Sequence, residues 1–521
     1  MPGLHDATTV GDIVTAVLRR FPDRVAFRQD GQDLTYRQAE DSLARWVSVL
    51  SERGLRRGDG VGLLSPNRPE AWLAPTAAAL AGGRYTALHP LGSLDDHLHA
   101  CDEAELRFLF VDPAFAERAV QLKEKAQTVE AVFSFGPSDA GEDIHAMAAR
   151  ARLNGPLDRG PSRGEDISYL LYTGGTTGVP KAAMITDRAV VAHYAGTALG
   201  WDLPERMRYL AVAPISHAAG MLIMPTLLSG GTVILQRRFE PAAWLQAVAA
   251  ERATLSLLVP TMIYALLDHP QLDGTDLSSL ETVIYGASAI APSRLAEGLE
   301  RIGPVFCQLY GQTESAGQGT SLWRAHHDPS DLHRLTSCGR TMPFNRVAVL
   351  DEEGRLAPDG TPGELCIQGP TVMEGYWKQP ELTAATLAGG WLHTGDLGIR
   401  DEDGFFYIVD RKKDMIVSGG FNVFPREVED VLARHEAVSA VAVIGVPDDK
   451  WGEAVKALVV LRPGGRAEAE ELIALVREHK GPIYAPKSVE FIDALPMTPV
   501  GKADKKVLRA RYWAGHERRV G

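Results

Sequence analysis

The stretch LYTGGTTGVPK occupies residues 171–181. It overlaps ISYLLY (167–172), a run of β-branched, aromatic and aliphatic residues that predicts a strand. The glycines of this loop allow a tight turn that directs backbone N–H groups toward an anion, and its threonines and final lysine add further donors. The residues concerned are Thr173, Gly174, Gly175, Thr176, Thr177, Gly178 and Lys181. This composition predicts a cradle for a polyphosphate.

The loop differs from the P-loop of nucleotide hydrolases and kinases. In a P-loop, a lysine and then a Ser or Thr directly follow the last glycine, whereas here Gly178 is followed by Val179-Pro180-Lys181. The difference points away from those enzyme classes. A glycine- and threonine-rich turn with no ligand is the alternative that this stretch alone leaves open.

The composition excludes several classes of protein. At 521 residues the chain is too long for one hydrophobic core, and its 45% apolar and 23% charged residues are typical of a globular protein. The net charge of −13 argues against a nucleic-acid partner, which requires a basic surface. A triphosphate site in this chain would have to create its positive field locally, from lysines, backbone N–H groups and a metal ion.

The spacing of the cysteines and the hydropathy of the sequence predict a cytoplasmic protein. Cys101, Cys307, Cys338 and Cys366 form no CxxC pair, so we expect buried thiols rather than zinc sites or disulfides. The N-terminus lacks the pattern of a signal peptide. Residues 209–236 carry no Asp, Glu, Lys or Arg, but their prolines and glycines predict strand, helix and strand rather than a transmembrane segment.

Strand-like and helix-like segments alternate along most of the chain, which predicts an α/β fold with a substantial parallel sheet. Residues 136–166 are predicted as a surface connection, and residues 347–369 as a small β subdomain. A charged hinge at 411–414 separates a large N-terminal domain (1–410), with mixed parallel sheets, from a small mobile α+β C-terminal domain (415–521).

Four further motifs carry polar groups suited to a nucleotide. The first is YGQTE (310–314), where Tyr310 could stack on a purine, Thr313 could bind phosphate and Glu314 could hold Mg²⁺. In GWLHTGDL (390–397), Asp396 could accept hydrogen bonds from a ribose. The others are DRKKD (410–414), with SGGFN behind it, and PVGK (499–502). Taken singly, these motifs are also consistent with a capped turn, a turn aspartate, a solvated charge cluster and a basic helix.

Together, in this order and spacing, the motifs resemble the adenylate-forming superfamily of acyl-CoA synthetases, stand-alone adenylation enzymes and luciferases. The resemblance extends from about residue 9 to residue 509. It implies two half-reactions: a carboxylate attacks the α-phosphate of ATP·Mg²⁺ to give an acyl-adenylate and pyrophosphate, and a thiol then displaces AMP. The cosubstrate implied for the second step is CoA.

The resemblance also implies roles for individual residues. It assigns residues 173–181 to the β- and γ-phosphates, Glu314 to the metal ion, and Lys502 to catalysis of adenylation. The nucleotide contacts it implies are Tyr310, Gly311, Gln312, Thr313, Asp396 and Arg411. Lys413 falls at the hinge position, and Gly419 and Gly420 face the tunnel for the thiol. Glycines suit that place, since a pantetheine arm needs close approach to the backbone.

For the acid pocket, the resemblance points to His193, Tyr194, His217, Gly286 and Ala287. His217 falls where many relatives place an aromatic or histidine gate; a core histidine bonded to the backbone is the alternative. Relatives that activate amino acids carry an aspartate near this point, and none occurs in 214–224. A fatty or aromatic acid is therefore expected, because the walls are mostly apolar.

Three alternatives to an acid–CoA ligase remain. A stand-alone acyl- or aryl-AMP ligase could load a carrier protein or pass the adenylate to another acceptor. A nucleotide-binding module without activity is disfavoured by the presence of both Lys502 and Glu314. A phosphotransferase is disfavoured by the departure from the P-loop. The sequence leaves the oligomeric state open, with a homodimer as one candidate.

Overall fold

The computed structural model describes residues 9–153, 155–173, 181–411, 414–418, 421–448, 451–498 and 502–513, without the side chains of Thr173, Asp410, Arg411 and Asn422. The α-helices are α1 Val10–Arg20, α2 Tyr36–Glu52, α3 Glu70–Leu80, α4 Leu94–Glu103, α5 Ala116–Lys125, α6 Ile144–Arg150, α7 Asp187–Gly200, α8 Ile223–Leu228, α9 Pro241–Glu251, α10 Pro260–Leu267, α11 Pro292–Arg301, α12 Pro380–Thr386, α13 Pro425–Leu432, α14 Ala469–Lys480 and α15 Lys505–Ala510.

The strands are β1 Val25–Gln29, β2 Gln32–Thr35, β3 Gly60–Leu64, β4 Arg84–Ala87, β5 Leu106–Val111, β6 Ala131–Ser134, β7 Glu142–Asp143, β8 Ile167–Thr173, β9 Lys181–Thr186, β10 Arg208–Ala211, β11 Thr232–Leu235, β12 Leu255–Leu258, β13 Thr282–Gly286, β14 Phe306–Tyr310, β15 Thr320–Leu322, β16 Ser337–Thr341, β17 Arg346–Leu350, β18 Gly363–Gln368, β19 Gly375–Tyr376, β20 Leu392–Arg400, β21 Phe406–Arg411, β22 Ile416–Ser418, β23 Phe421–Val423, β24 Val438–Asp448, β25 Gly452–Leu461 and β26 Ser488–Phe491.

Within the described residues these strands form three sheets. A 13-stranded sheet has the order β17-β18-β20-β21-β16-β15-β14-β13-β12-β10-β11-β1-β2, and an eight-stranded sheet the order β19-β9-β8-β4-β3-β5-β6-β7. The smallest sheet contains β23-β22-β25-β24, with β26 paired to β25. Strands β10 to β14 pair in parallel, as do β3, β4 and β5. The predicted α/β fold is confirmed.

Local sequence explains where several helices begin. Thr9, Thr35 and Ser93 cap α1, α2 and α4, each in a capping box with an Asp or Gln three residues later. Proline occupies the first turn of α9, α10, α11 and α13, where its missing N–H costs no hydrogen bond. These helices pack their apolar faces on the sheets and close the core.

Residues 209–236 form β10, a short 3-10 helix at Ala218–Leu222, α8 and β11, as predicted. None of the described helices has both the length and the apolar character that crossing a membrane requires. All four cysteines are buried and unbridged, which confirms the prediction of buried thiols without disulfides.

The structure adds detail to two predicted segments. The surface connection at 136–166 is not wholly irregular, because it contains β7 and α6; Asp143 caps α6 by accepting a hydrogen bond from His145 N at 2.9 Å. The hairpin strands near 347–369 do not stand apart from the large sheet. Strand β18 pairs with β20, β20 with β21, and β21 with β16, which makes the sheet continuous.

The C-terminal sheet packs against the edge of the N-terminal region. Arg426 on α13 donates to Ile408 O at 3.2 Å, and Ser293 Oγ on α11 donates to Ala433 O at 3.2 Å. Arg462 lies 3.8 Å from Asp268, a weak ion pair across the same boundary. Each of these three contacts is polar.

Candidate active site

A cavity of about 2120 Å³ lies between the N-terminal sheets and the C-terminal residues. Its walls carry most of the described residues that the motifs identify. They are Lys181, His193, Tyr194, His217, Ala287, Tyr310, Gly311, Gln312, Thr313, Glu314, Asp396 and Lys502. Residues that lie up to 321 positions apart in the chain (181 to 502) therefore line one cavity.

Two motifs are joined by hydrogen bonds. Tyr310, the last residue of β14, donates from its hydroxyl to Asp396 Oδ2 at 2.8 Å, and Gln312 Nε2 donates to the same oxygen at 3.0 Å. Gln312 also donates to Thr394 O at 2.8 Å. Asp396 is buried, and these donors satisfy its Oδ2. The arrangement holds a carboxylate at the cavity wall in one orientation.

The turn before Asp396 is fixed by a neighbouring cluster. Gly395 has φ +72°, a conformation that favours glycine, and its N–H donates to Glu364 Oε1 at 2.9 Å. The other oxygen of Glu364 lies 3.1 Å from His393 Nδ1, and Cys366 Sγ lies 3.5 Å from the same nitrogen. The cluster explains how the HTGD turn is held.

Glu314 is oriented by a tyrosine from a distant strand. Tyr376 on β19 donates from its hydroxyl to Glu314 Oε1 at 2.8 Å, and Lys181 Nζ lies 5.3 Å from the centre of the Tyr376 ring. Burial, with the nearby Glu314 carboxylate, raises the pKa of Tyr376, so the hydroxyl keeps its proton and remains a donor. Tyr376 thus connects the lysine of the loop with the carboxylate of YGQTE.

Lys502 is hydrogen-bonded to Thr498 in the C-terminal region. Thr498 N donates to Lys502 O at 2.7 Å, and Lys502 N donates to Thr498 Oγ1 at 3.1 Å. Met497 and Ala503 form an antiparallel bridge next to this pair. Lys502 lies in the wall of the same cavity as Thr313 and Asp396.

His217 lies where the loop after β10 meets the loop after β4. Its ring contacts that of His89 edge to face, with 4.8 Å between centroids, and its Nδ1 lies 2.9 Å from Ser216 Oγ. Burial lowers the pKa of His217 to about 4, with a smaller effect from His89. The imidazole is therefore neutral at physiological pH, and can exchange hydrogen bonds without carrying charge.

Asn67 anchors the loop that carries His217. Its Oδ1 accepts from Ile215 N at 2.9 Å, and its Nδ2 donates to Ala213 O at 2.8 Å and to Gln236 O at 3.0 Å. Asn67 is buried between the two large sheets. One amide therefore satisfies three backbone groups and fixes the approach to His217.

The remaining residues predicted for the acid pocket do not all line the cavity. His193 Nδ1 lies 3.1 Å from Gln318 Nε2, and burial lowers the pKa of His193 to about 4. Ala287 lines the cavity with φ +64°. Gly286 is not among the described lining residues: a Cβ there would lie 2.3 Å from Leu309 O, so Gly286 permits close strand packing instead of forming a wall.

Two family models match this chain. The model for the AMP-binding enzyme matches residues 14–377, and the model for the AMP-binding enzyme C-terminal domain matches residues 427–502. The first match alone covers more than half of the sequence. The chain belongs to the AMP-binding enzyme family.

Individual relatives agree with this assignment. This AMP-binding enzyme is 44% identical to the medium/long-chain-fatty-acid–CoA ligase FadD8 of Mycobacterium tuberculosis, over 99% of this chain and 92% of that protein. It is 39% identical to a feruloyl-CoA synthase of an Amycolatopsis species, over 95% and 97% of the two chains. Among solved structures, the amide bond synthetase McbA of Marinactinospora thermotolerans is 36% identical with a TM-score of 0.88, covering 96% of this chain and 99% of that one.

Several predicted site residues of the AMP-binding enzyme lie outside the described residues or have undescribed side chains. They are Thr173, Gly174, Gly175, Thr176, Thr177, Gly178, Arg411, Lys413, Gly419 and Gly420. Their predicted roles stay predictions.

Tyr376, His89 and Asn67 belong to the site but carried no predicted role. Asn67 stands within a segment that shares the family resemblance, yet its sequence context does not reveal that it bonds Ala213 and Ile215. Tyr376 ends a two-residue strand, and His89 lies in a loop after β4. A single sequence gives no signal for such residues, because their role depends on which distant strands become neighbours.

Proposed function

We propose that this AMP-binding enzyme is an acid–CoA ligase that forms AMP. The observation that carries the proposal is the single cavity whose walls contain Lys502, Glu314 and Asp396 together with the mostly apolar surroundings of His217. A cation, a carboxylate for a metal ion and an acceptor for ribose are the groups that activation of a carboxylate by ATP requires. The named CoA ligases that are 44% and 39% identical support CoA as the acceptor.

In the first half-reaction, a carboxylate oxygen of the acid attacks the α-phosphorus of ATP. An O–P bond forms, the bond to the β-phosphate oxygen breaks, and pyrophosphate leaves. Two anions must approach each other, so the barrier is largely electrostatic. The Lys502 ammonium would lower it by lying against the carboxylate and the α-phosphate, and a lysine suits this role as a compact point charge.

The remaining residues position the nucleotide. Asp396, held by Tyr310 and Gln312, would accept hydrogen bonds from the ribose. Thr313 would donate to the α-phosphate. Lys181 and the loop at 173–181 would hold the departing pyrophosphate.

The residues at the cavity wall fit Mg²⁺. Mg²⁺ prefers oxygen ligands, and the Glu314 carboxylate lines the cavity with one oxygen oriented by Tyr376. When bound, the ion would supply charge neutralisation at the phosphates. Glu314 would hold it, and Tyr376 would keep that carboxylate from turning away.

In the second half-reaction, the CoA thiolate attacks the acyl carbon, the C–S bond forms and AMP leaves; the thiol proton passes to solvent. We propose domain limits of 1–410 and 415–521 with a hinge at 411–414. The smaller domain would rotate about Lys413, remove Lys502 from the cavity and bring 418–420 to the thiol.

A different acceptor is the second candidate, since McbA, an amide bond synthetase, is 36% identical. The deciding experiment supplies ATP, Mg²⁺ and a panel of fatty and aromatic acids, with and without CoA, and measures AMP, pyrophosphate and thioester. We expect AMP and thioester in equal amounts when CoA is present. AMP released only with an amine or a carrier protein would favour the second candidate, and ADP would exclude both.

A further inference from the structure

The cavity extends beyond the residues assigned to ATP, between the eight-stranded sheet and helices α1 and α3. We call this part the deep arm. Its walls are Val10, Val14, Thr76, Ala79, Tyr85 and Tyr169. None of these residues was identified by a motif, and none belongs to the pocket predicted from the sequence.

Two elements run along the deep arm. Strand β4 leads from Tyr85 to its end at Ala87, and the chain continues to His89, which contacts His217. Helix α3 lines the cavity from Ala71 to Ala79, and eight helical residues advance by about 12 Å. Tyr85 pairs with Tyr169 of β8, so both sheet residues lie at the same depth. The deep arm therefore extends over about 12 Å along α3.

Val10 and Ala79 line the far end of the deep arm. Residues 155–163, which we call the floor strap, pack behind this end and do not themselves line the cavity. A Cβ on Gly11 would lie 1.9 Å from Arg159 O, and a Cβ on Gly160 would lie 2.0 Å from Leu80 O. Ser162 Oγ donates to Ala79 O at 3.0 Å. The floor strap thus packs with its backbone directly against the first turn of α1 and the last turn of α3, behind Val10 and Ala79.

The same end of α1 is anchored from the other side. Val10 N donates to Asp187 Oδ1 at 2.7 Å, and Arg19 further along α1 donates to Leu157 O of the floor strap. Helix α1 therefore has fixed contacts at both ends, and Val10 and Val14 cannot move aside easily to lengthen the deep arm.

The walls of the deep arm suit an uncharged, apolar group. None of its six residues is charged, and the Thr76 hydroxyl already donates to Trp72 O at 2.7 Å. The Tyr169 hydroxyl is hydrogen-bonded to Tyr194. The Tyr85 hydroxyl is buried without a hydrogen-bond partner among the described residues, so the wall is not wholly apolar. A carboxylate or an ammonium group would nevertheless meet no opposite charge among these six residues, which is unfavourable for a buried ion.

We propose that the deep arm holds the apolar tail of the acid and that its floor limits the length of that tail. An extended chain advances by about 1.25 Å per carbon, so about ten carbons fit along the deep arm. The substrate class is therefore medium-chain acids, or acids with a ring system of similar length. This inference rests on the proposed acid–CoA ligase function.

The test measures kcat/KM for pyrophosphate release with saturated acids of 4 to 18 carbons. For the wild type we expect a rise of about fourfold per added methylene, as expected for burial of an apolar group, up to about 10–12 carbons and a fall beyond. Val14→Ala should move the maximum to longer acids by one or two carbons. Ala79→Leu should move it to shorter acids by a similar amount.

Val17→Ala is the matched control, because Val17 is buried on the same helix but does not line the cavity. It should leave the maximum where it is. Acids of 4 to 6 carbons provide a check on folding, since they do not reach the floor and should react equally well with every variant that folds. If Ala79→Leu does not fold, Val14→Ala and Val17→Ala still give the comparison.

The two proposals fail in different ways. If no acid supports pyrophosphate release, the acid–CoA ligase function is wrong. If acids react but the wild type uses 16 and 18 carbons as well as 10, or Val14→Ala and Val17→Ala share one profile, the floor does not limit length and this inference is overturned.

Discussion

The two ends of the cavity are built in opposite ways. At the nucleotide end, Tyr310, Gln312 and Asp396 come from short polar motifs and are joined by hydrogen bonds of 2.8 and 3.0 Å. In the deep arm, the walls come from single apolar or aromatic positions on α1, α3, β4 and β8. Reaction chemistry needs a fixed set of polar groups, whereas an apolar tail needs only shape and volume. The two ends should therefore respond differently to substitution.

The largest effect is expected at the nucleotide end. Lys502→Ala removes the proposed positive charge between the carboxylate and the α-phosphate, so acid-dependent pyrophosphate exchange should fall by about 10²- to 10³-fold. Thioester formation from a supplied acyl-adenylate should be largely retained, because in the proposed rotation Lys502 leaves the cavity before that step.

Lys480→Ala is the control for this prediction, since Lys480 pairs with Glu427 on the C-terminal region and does not line the cavity. Both half-reactions should be normal in that variant. Equal loss of both half-reactions in Lys502→Ala would contradict the assigned role.

The next largest effect is expected at Asn67, which anchors the loop between the nucleotide end and the deep arm. Asn67→Ala leaves Ile215 N and the carbonyls of Ala213 and Gln236 without their partner, which should lower the free energy of unfolding by about 3 kcal/mol. Chemical denaturation measures this loss. Gln32→Ala, on an exposed position of β2, should change stability by less than about 0.5 kcal/mol. If Asn67→Ala lowers the free energy of unfolding as little as Gln32→Ala does, the amide of Asn67 is not structurally important.

A smaller effect is expected from Tyr376→Phe. The substitution removes the hydrogen bond to Glu314 Oε1 but keeps the ring beside Lys181, so kcat/KM should fall by about tenfold, and more Mg²⁺ should be required for half-maximal activity. Tyr407→Phe is a matched control, since Tyr407 bonds Asp401 and does not line the cavity. If the Mg²⁺ requirement of Tyr376→Phe is unchanged, Tyr376 does not contribute to the metal site.

The smallest effect is expected in the pH dependence. Burial lowers the pKa of His217 to about 4, so its imidazole stays neutral as pH rises from about 5 to 9 and is protonated only in stronger acid. The profiles of log kcat/KM against pH for wild type and His217→Asn should be parallel across that range. Loss of an inflection near pH 6.5 in the variant would show that His217 titrates during the reaction.

The nucleotide end could be predicted from sequence because its residues stand in contiguous motifs. Asp396 and Glu314 were predicted from HTGD and YGQTE, and the structure places both in one cavity. The strand before the loop at 171–181 was also predicted correctly as β8. Such motifs can be recognised in a sequence because a few consecutive residues specify both the backbone geometry and the polar side chains.

The deep arm could not be predicted in this way. Val14 and Ala79 are ordinary core residues by composition, and only the packing of α1 on α3 brings them to one wall. The floor strap was predicted merely as a surface connection, because its glycines and prolines do not reveal that Gly160 lies against Leu80. Tertiary contacts between distant segments determine this end of the cavity.

The most direct test of whether the two ends of the cavity function separately compares Tyr376→Phe with Val14→Ala on acids of 6, 10 and 14 carbons. We predict that Tyr376→Phe lowers kcat/KM for all three acids by one common factor, whereas Val14→Ala leaves the 6-carbon acid unchanged and raises the 14-carbon acid relative to the 10-carbon acid. If Tyr376→Phe alters the ratio between acids, or Val14→Ala lowers all three equally, the two ends of the cavity are not separate in function and the account is wrong.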